Sequence, residues 1–223
     1  MNIELKQISV AYQNKLIVKN VDLKLESGKI SCLFRSSGCG KTTLLRTIAG
    51  FESVHSGEVI FDDSKVVSSS SHQLPVEQRR VGMVFQDLAL FPHLSVTDNI
   101  AFGLRGWSVA WRRELIDSLL RLVDLASTAK SYPHQLFGGQ QQRIALIRAL
   151  APKPVVLLLD EPFSSLDTEL CKQLVVEVRD LLKQEIVTAI LVSHDKSEAL
   201  TMADKIGVMQ DGHLRLVTDN NYH

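Results

Sequence analysis

Residues 35–43, Arg-Ser-Ser-Gly-Cys-Gly-Lys-Thr-Thr, constrain the fold of this chain more than any other feature of its sequence. They follow a short apolar run, Ile30–Phe34, and lead into a helix-like stretch at 44–49. A strand, a glycine-containing loop and a helix in this order are typical of a phosphate-binding P-loop, whose backbone N–H groups and helix N-terminus surround an anion. Lys41 is then expected to reach the β- and γ-phosphates of a nucleotide, and the Thr42 hydroxyl to bind Mg²⁺.

One position departs from the P-loop pattern G-x-x-x-x-G-K-[ST], because Arg35 occupies the place of the first glycine. If the backbone there requires a positive φ, any residue with a Cβ costs about 1–3 kcal/mol. If it does not, the guanidinium either crowds the phosphates or adds positive charge to them. The sequence leaves both alternatives open.

Composition and charge narrow the class of protein. The 223 residues carry a formal net charge of zero, whereas a dedicated nucleic-acid binder is usually basic, so we expect no nucleic-acid partner. The N-terminus has no signal-peptide core, and the longest strongly apolar run, residues 155–159, is too short to span a bilayer. The three cysteines show no metal-binding or disulfide spacing, which favours reduced thiols in the cytoplasm.

Apolar periodicity predicts alternating strands and helices. The pattern favours strands at 3–10, 21–25, 30–34, 59–61, 81–85, 155–159, 187–192 and 206–209, and helices at 42–49, from about 96, around 170–182 and at 196–202. Residues 64–74 are serine-rich and predict an exposed loop. Residues 107–151 show only helical spacing, with one stripe at Trp111, Leu115, Leu119 and Leu122, which indicates a helical lobe inserted into an α/β core. The fold class is therefore α/β with a mostly parallel sheet.

Two carboxylates, Asp160 and Glu161, directly follow the apolar run 155–159. Ligands of open α/β sheets bind beyond the carboxyl ends of the strands, so this pair is expected beside the P-loop. There Asp160 can hold Mg²⁺, and Glu161 can orient and deprotonate a water that attacks the γ-phosphate. A strand that ends in solvated charges is the alternative interpretation, and an upstream P-loop in the same chain makes it the weaker one.

Further motifs resemble those of ATP-binding cassette (ABC) proteins, in the order in which that family carries them. Leu136-Phe137-Gly138-Gly139-Gln140 resembles the LSGGQ signature, Gln86 the Q-loop glutamine, and His194 the switch histidine. The segment 164–167, Ser-Ser-Leu-Asp, is similar to the D-loop, and Tyr12 lies where the family has an adenine-stacking aromatic residue. The resemblance covers almost the whole chain.

The resemblance implies a P-loop ABC cassette with an N-terminal antiparallel β-subdomain and a helical signature subdomain. Residues 1–223 would form one ATPase domain, with 1–94 and 152–223 as the ATP-binding core, about 95–151 as the signature subdomain, and no C-terminal regulatory β-domain. It implies ATP and Mg²⁺ as ligands, and it assigns the following site residues: Glu161, His194 and Gln86 for catalysis; Tyr12, Arg35, Ser36, Ser37, Gly38, Cys39, Gly40, Lys41, Thr42 and Thr43 for ATP; Thr42, Gln86 and Asp160 for the metal; Phe137, Gly138, Gly139 and Gln140 for the ATP of a partner chain; Ser165 and Asp167 in the D-loop.

It also implies a subunit at the cytoplasmic face of the cell membrane that powers an importer. The partners would be membrane permease subunits, a second cassette (a homodimer is expected) and, indirectly, a periplasmic binding protein. Residues 84–96 are similar to those of ferric-ion importers. The aromatic ring of Phe137 replaces the signature serine, and together with Arg35 it motivates the competing hypothesis of a nucleotide-binding but hydrolysis-poor cassette that pairs with a competent one.

Overall fold

A computed structural model describes residues 2–13, 15–35, 38–62, 65–164 and 168–217. The strands are β1 (Ile3–Tyr12), β2 (Lys15–Leu25), β3 (Ile30–Phe34), β4 (Ser56–Phe61), β5 (Lys65–Ser69), β6 (Val81–Val84), β7 (Val156–Asp160), β8 (Ala189–Ser193), β9 (Lys205–Gln210) and β10 (His213–Val217). The helices are α1 (Lys41–Ala49), α2 (Val96–Ala101), α3 (Val109–Leu122), α4 (Gly138–Leu150), α5 (Thr168–Gln184) and α6 (Lys196–Met202). Short 3₁₀ turns occupy Val76–Gln78, Phe102–Leu104, Ala126–Thr128 and Pro133–Gln135.

The described strands form two sheets. The first is antiparallel, in the order β2-β1-β4-β5, and the second has the order β10-β9-β3-β8-β7-β6. Within the second sheet β9, β3, β8, β7 and β6 run parallel, and β10 adds an antiparallel edge. The predicted α/β class with a mostly parallel sheet is confirmed. The carboxyl ends of β3, β6, β7 and β8 consequently meet at one edge, where the predicted site residues follow them.

The parallel sheet separates two apolar clusters. Successive residues of β7 alternate between them: Leu157 and Leu159 pack toward the helical lobe, and Val156 and Leu158 pack toward α1 and the antiparallel sheet. Both β7 and β8 are buried along their whole length. This two-sided burial explains why these strands are continuous apolar runs rather than alternating ones.

A buried asparagine connects the helical lobe to the segment after β6 by hydrogen bonds. Asn99 of α2 accepts a hydrogen bond from the Phe91 N–H at 2.9 Å and donates to the carbonyls of Phe91, Leu94 and Ser95 at 3.1 Å each. A buried amide satisfied in this way fixes the path of the chain between β6 and α2. Ser95 in turn caps α2 through the Asp98 N–H.

Several sequence-based expectations were wrong in detail. The serine-rich stretch contains the strand β5, whose Val67 is fully buried. It is a strand because it pairs with β4, although its own sequence has no clear strand pattern. The edge strand β10 was not predicted. The predicted apolar stripe of α3 is confirmed in part: Leu119 is buried and Leu115 packs against the same core. Trp111 and Leu122 are instead about two-fifths exposed, and Ile116 and Leu120 are buried in their place.

Candidate nucleotide-binding site

The P-loop connects β3 to α1, as its sequence predicts. Gly40 has φ 98°, and a Cβ there would lie 3.0 Å from the Ile17 carbonyl oxygen, so this position needs glycine for both conformation and space. Gly38 also has a left-handed φ of 87°. The α1 helix begins directly after Gly40, which directs its first backbone N–H groups into the loop. Ser36 and Ser37 lie outside the described residues.

The P-loop lysine is held by the backbone of its own loop. Lys41 is only 4% exposed, and its ammonium donates to the Arg35 carbonyl oxygen at 2.5 Å and lies 3.9 Å from Cys39 Sγ. These contacts hold the positive charge of the ammonium beside the backbone of its own loop.

Arg35 occupies the P-loop position whose sequence departs from the pattern, and its φ is 151°. That value lies in a region that residues with a Cβ rarely adopt, so the first of the two alternatives left open above applies. The guanidinium extends to the end of β9, where Nη1 donates to Gln210 Oε1 at 2.7 Å.

Tyr12 lies at the end of β1 beside the first turn of α1. Partial burial, together with a hydrogen bond to the Glu52 carboxylate, raises the pKa of its phenol, and a further hydrogen bond joins it to Thr43. The ring is 42% exposed. An exposed aromatic face next to the P-loop is suited to stacking on a base.

The strand β7 brings the predicted metal ligands together. The Thr42 hydroxyl donates to Asp160 Oδ1 at 2.9 Å. Burial raises the pKa of the Asp160 carboxyl, and the hydrogen bond from Thr42 partly offsets that rise. A hydroxyl and one carboxylate fit Mg²⁺, which is commonly bound by one or two protein ligands plus phosphates and water. Among the described residues no cluster of three or more His, Cys, Asp or Glu could form an all-protein metal cage.

Glu161 and His194 meet at the ends of neighbouring strands. His194 Nδ1 lies 3.2 Å from Glu161 Oε2, and the Glu161 N–H donates to the Val192 carbonyl oxygen at 3.0 Å. Glu161 has a left-handed φ of 47°, and its side chain is 14% exposed while that of His194 is 53% exposed. The carboxylate therefore faces the same edge as Asp160 with an imidazole in reach.

Gln86 is the second residue after β6, which pairs with β7, and its side chain is exposed at this same edge. The turn that follows contains two consecutive residues with left-handed backbone, Leu88 (φ 58°) and Ala89 (φ 46°).

The predicted signature segment begins α4. Phe137 precedes its first turn, its N–H donates to Gln140 Oε1 at 3.0 Å, and its ring is 81% exposed. In the described part of the chain the hydrogen bonds of 137–140 stay within the helical lobe, so the structure does not join this segment to the P-loop of the same chain. Ser165 and Asp167 lie outside the described residues.

Sequence reasoning missed the polar side chains that fix these loops from a distance. Arg79 is 2% exposed and donates to the carbonyls of Thr47 and Ile48 at 2.9 and 3.0 Å, which caps the C-terminal end of the P-loop helix. Gln142 and Arg148 of α4 make comparable contacts. A polar residue among the apolar positions of a helix face could have marked Gln142 and Arg148 as unusual, although it does not identify the residues they contact.

A P-loop, a carboxylate paired with its threonine, and an acid beside a histidine at the carboxyl edge of a parallel sheet together define a P-loop nucleotide-binding protein. Comparison with known proteins is more specific. Residues 18–164 match the family described as ABC transporter, which is more than half of the chain. The chain therefore belongs to the ABC transporter family.

Three relatives with different printed cargoes are similar to nearly the same degree. A spermidine/putrescine import ATP-binding protein PotA of Aliivibrio fischeri is 47% identical over 213 residues, 94% of this chain and 56% of that protein. A sulfate/thiosulfate import ATP-binding protein CysA of Neisseria meningitidis is 46% identical over 218 residues, 95% of this chain and 60% of that protein. A protein of Pectobacterium atrosepticum named "Fe(3+) ions import ATP-binding protein FbpC 2" is 46% identical over 213 residues, 95% of this chain and 61% of that protein. The chain thus spans less than two thirds of the length of each. Across the described ranges, none of the helices combines the length and apolar character that crossing a bilayer requires.

Proposed function

We propose that this chain binds and hydrolyses ATP and thereby powers an ABC importer. The observation that carries the proposal is the meeting of two pairs at one sheet edge, Thr42 with Asp160 at 2.9 Å and Glu161 with His194 at 3.2 Å. Hydrolysis of a phosphoanhydride needs a metal site and a separate base for water, and these pairs supply both.

We assign the roles from the family resemblance, and the geometry supports them. The P-loop amides and Lys41 bind the phosphates, and the exposed ring of Tyr12 stacks on the base. Thr42, Asp160 and Gln86 would hold Mg²⁺, which neutralises charge on the β- and γ-phosphates when bound. Glu161 orients and deprotonates the water. His194 positions that carboxylate and contacts the γ-phosphate.

A second cassette completes the site in this proposal. The N-terminal amides of α4, at Gly138 and Gly139, would contact the γ-phosphate held by the partner, because a helix N-terminus attracts an anion. We infer a homodimer on this basis.

The membrane partner is proposed to be a pair of permease subunits, which would place this chain at the cytoplasmic face of the membrane and couple it indirectly to a periplasmic binding protein. The printed names of the relatives, all import ATP-binding proteins, support this. Exposed aromatic rings near Gln86 also support it: Phe51 is 52% exposed and packs 6.1 Å from Phe85, and Phe102 is 44% exposed and packs 4.4 Å from Phe91.

Ferric iron is the cargo that we propose, on the sequence of residues 84–96. Overall identity supports iron, polyamine and sulfate about equally, so a direct measurement is needed. Cells that carry only the Glu161→Gln form are compared with cells that carry the unchanged chain, for uptake of radiolabelled ferric iron, spermidine and sulfate. Loss of iron uptake alone supports the proposal, and loss of either other cargo alone replaces iron with that cargo.

A second candidate is a cassette that binds ATP but hydrolyses it poorly. Two observations favour it: the strained backbone at Arg35 and the bulky exposed ring of Phe137. A serine in place of Phe137 would supply a hydroxyl to the γ-phosphate. That bond is worth about 1.5–3 kcal/mol when it is charge-assisted.

Steady-state ATP hydrolysis by the purified chain with Mg²⁺, with Glu161→Gln as the blank, tests the proposal. Turnover that disappears in the variant, while ATP binding survives, supports the importer motor. Turnover equal in both proteins would remove Glu161 from the catalytic role. Binding without turnover in either protein would favour the second candidate.

A further inference from the structure

Three polar side chains of α4 contact residues outside the helical lobe. Arg143 pairs with Glu177 of α5 at 2.7 Å, and the other two contact loops at the carboxyl edge of the parallel sheet. The first is Gln142, which is 5% exposed and donates through Nε2 to the carbonyl oxygen of Pro162. Pro162 immediately follows Glu161 in the chain. A single buried hydrogen bond thus joins α4 to the loop that bears the proposed general base.

The second of these is Arg148, six residues further along α4. Its Nη1 and Nη2 donate to the carbonyl oxygens of Ala89 and Leu88 at 2.6 and 2.8 Å. The guanidinium also lies 5.5 Å from the centre of the Phe91 ring. Leu88 and Ala89 are the two consecutive left-handed residues of the turn after Gln86, so the planar fork of an arginine fits both carbonyls of a turn that is costly to form alone.

Neither side chain is what folding stability alone would select. The Oε1 atom of Gln142 is buried and has no hydrogen-bond partner in the described part of the protein. Burial also lowers the pKa of the Arg148 guanidinium, which shows that its charge is partly desolvated. A methionine at either position has similar length and no polar atom to satisfy, so the penalty that it removes offsets part of the hydrogen bonding to carbonyl oxygens that it gives up.

We propose that Gln142 and Arg148 are positioning residues, through which α4 holds the Glu161 loop and the Gln86 loop in a fixed relation to its own N-terminal end at Gly138. The inference rests on the proposed function, because it assigns the two contacts to the geometry of hydrolysis. A movement of α4 that carries Gly138 toward or away from the phosphates of a partner then moves both loops with it.

The test uses the full chain with Gln142→Met, Arg148→Met and the double variant. Matched controls are Gln173→Met on α5 and Arg113→Met on α3, which change exposed residues of the same types. Each protein is measured for kcat and KM of ATP hydrolysis, for thermal unfolding, and for amide hydrogen exchange at 86–90 and 161–164.

We expect each single variant to lower kcat by about 10- to 100-fold, since small displacements of catalytic groups have effects of this size. KM should stay within about twofold, and the double variant should lose little more than the worse single one, because both contacts serve one arrangement. The melting temperature should move by no more than about 2 °C, and the controls should match the unchanged chain. Unchanged kcat in both single variants, or a kcat loss that follows a large drop in melting temperature, would overturn the proposal.

Hydrogen exchange keeps the two proposals separable. If the unchanged chain shows no turnover above the Glu161→Gln blank, the proposal of ATP hydrolysis is rejected. The positioning role of Gln142 and Arg148 can still be tested by hydrogen exchange. Arg148→Met should then speed exchange most at 86–90, and Gln142→Met most at 161–164, by about tenfold each. Equal exchange in variants and unchanged chain would overturn the positioning role.

Discussion

Replacing Arg35 by glycine should stabilise this protein, although the substitution removes a large side chain and a hydrogen bond. The backbone at Arg35 has φ 151°, which costs a residue with a Cβ about 1–3 kcal/mol relative to glycine. Two smaller terms oppose the gain. The lost hydrogen bond to the exposed Gln210 amide is worth about 0.5 kcal/mol, and the extra freedom of glycine in the unfolded chain costs about 0.4–1 kcal/mol.

The middle of these ranges leaves a net stabilisation of about 1 kcal/mol for Arg35→Gly. For a chain of this length, that corresponds to a rise of about 2–4 °C in melting temperature. Thermal unfolding followed by circular dichroism measures it. Arg35→Ala is the matched control, because it removes the same hydrogen bond but keeps a Cβ, and it should melt at or slightly below the temperature of the unchanged chain.

The order of the three melting temperatures decides the matter. If Arg35→Gly melts no higher than Arg35→Ala, the backbone at this position is not strained, and the reasoning from φ fails. The same proteins also test the site: if strain in the P-loop limits hydrolysis, Arg35→Gly should raise kcat where Arg35→Ala does not.

Three further expectations concern individual side chains. Phe137→Ser should raise turnover by about 10- to 100-fold with little effect on folding, since the ring is 81% exposed; unchanged kcat would show that the position is unimportant. Asp160→Asn should raise the melting temperature at neutral pH. Burial raises the folded pKa of the Asp160 carboxyl, so the contribution of this group to stability falls as pH rises above the ordinary pKa of 3.8. A difference in stability between the variant and the unchanged chain that does not widen from pH 4 to 7 would contradict this. Iodoacetamide at neutral pH should modify half-buried Cys39 and not Cys32, whose burial raises its pKa to about 12; mass spectrometry that finds Cys32 modified first would refute the order.

The parts of this structure that could be predicted from sequence are those that local pattern determines. The P-loop, the run that became β7 and the apolar faces of α4 and α5 each contain their own signal, as periodicity or as a motif of fixed spacing. The conditional prediction about Arg35 was of the same kind, because the pattern marks the position where glycine is expected and the structure gives the reason in a single φ.

The parts that could not be predicted depend on partners far along the chain. β5 is a strand because β4 pairs with it, and β10 because β9 does. Arg79 caps α1 across more than 30 residues, and Arg148 reaches Leu88 across 60. A local stretch of sequence contains only one end of such a contact, so it does not identify the residue at the other end. The roles of Phe137 and the other signature residues remain predictions for a related reason, because their proposed ligand belongs to another chain.

The geometry of this site is therefore imposed on its loops by the surrounding fold. Glu161, Leu88 and Ala89 all have left-handed backbone that non-glycine residues adopt at a cost. Another element holds each of them: Glu161 donates its N–H to the Val192 carbonyl oxygen of β8, and the carbonyl oxygens of Leu88 and Ala89 accept from Arg148 of α4. A loop held in this way keeps its shape only while its anchors keep their positions. Substitutions that displace α4, even in its apolar face at Ile144 or Ile147, should consequently alter the loops that bear Gln86 and Glu161 before they unfold the protein, since small shifts of packed elements are transmitted through a dense interior. Activity should then fall at temperatures where the overall fold persists, and hydrolysis rates measured below the melting transition of such variants would show whether it does.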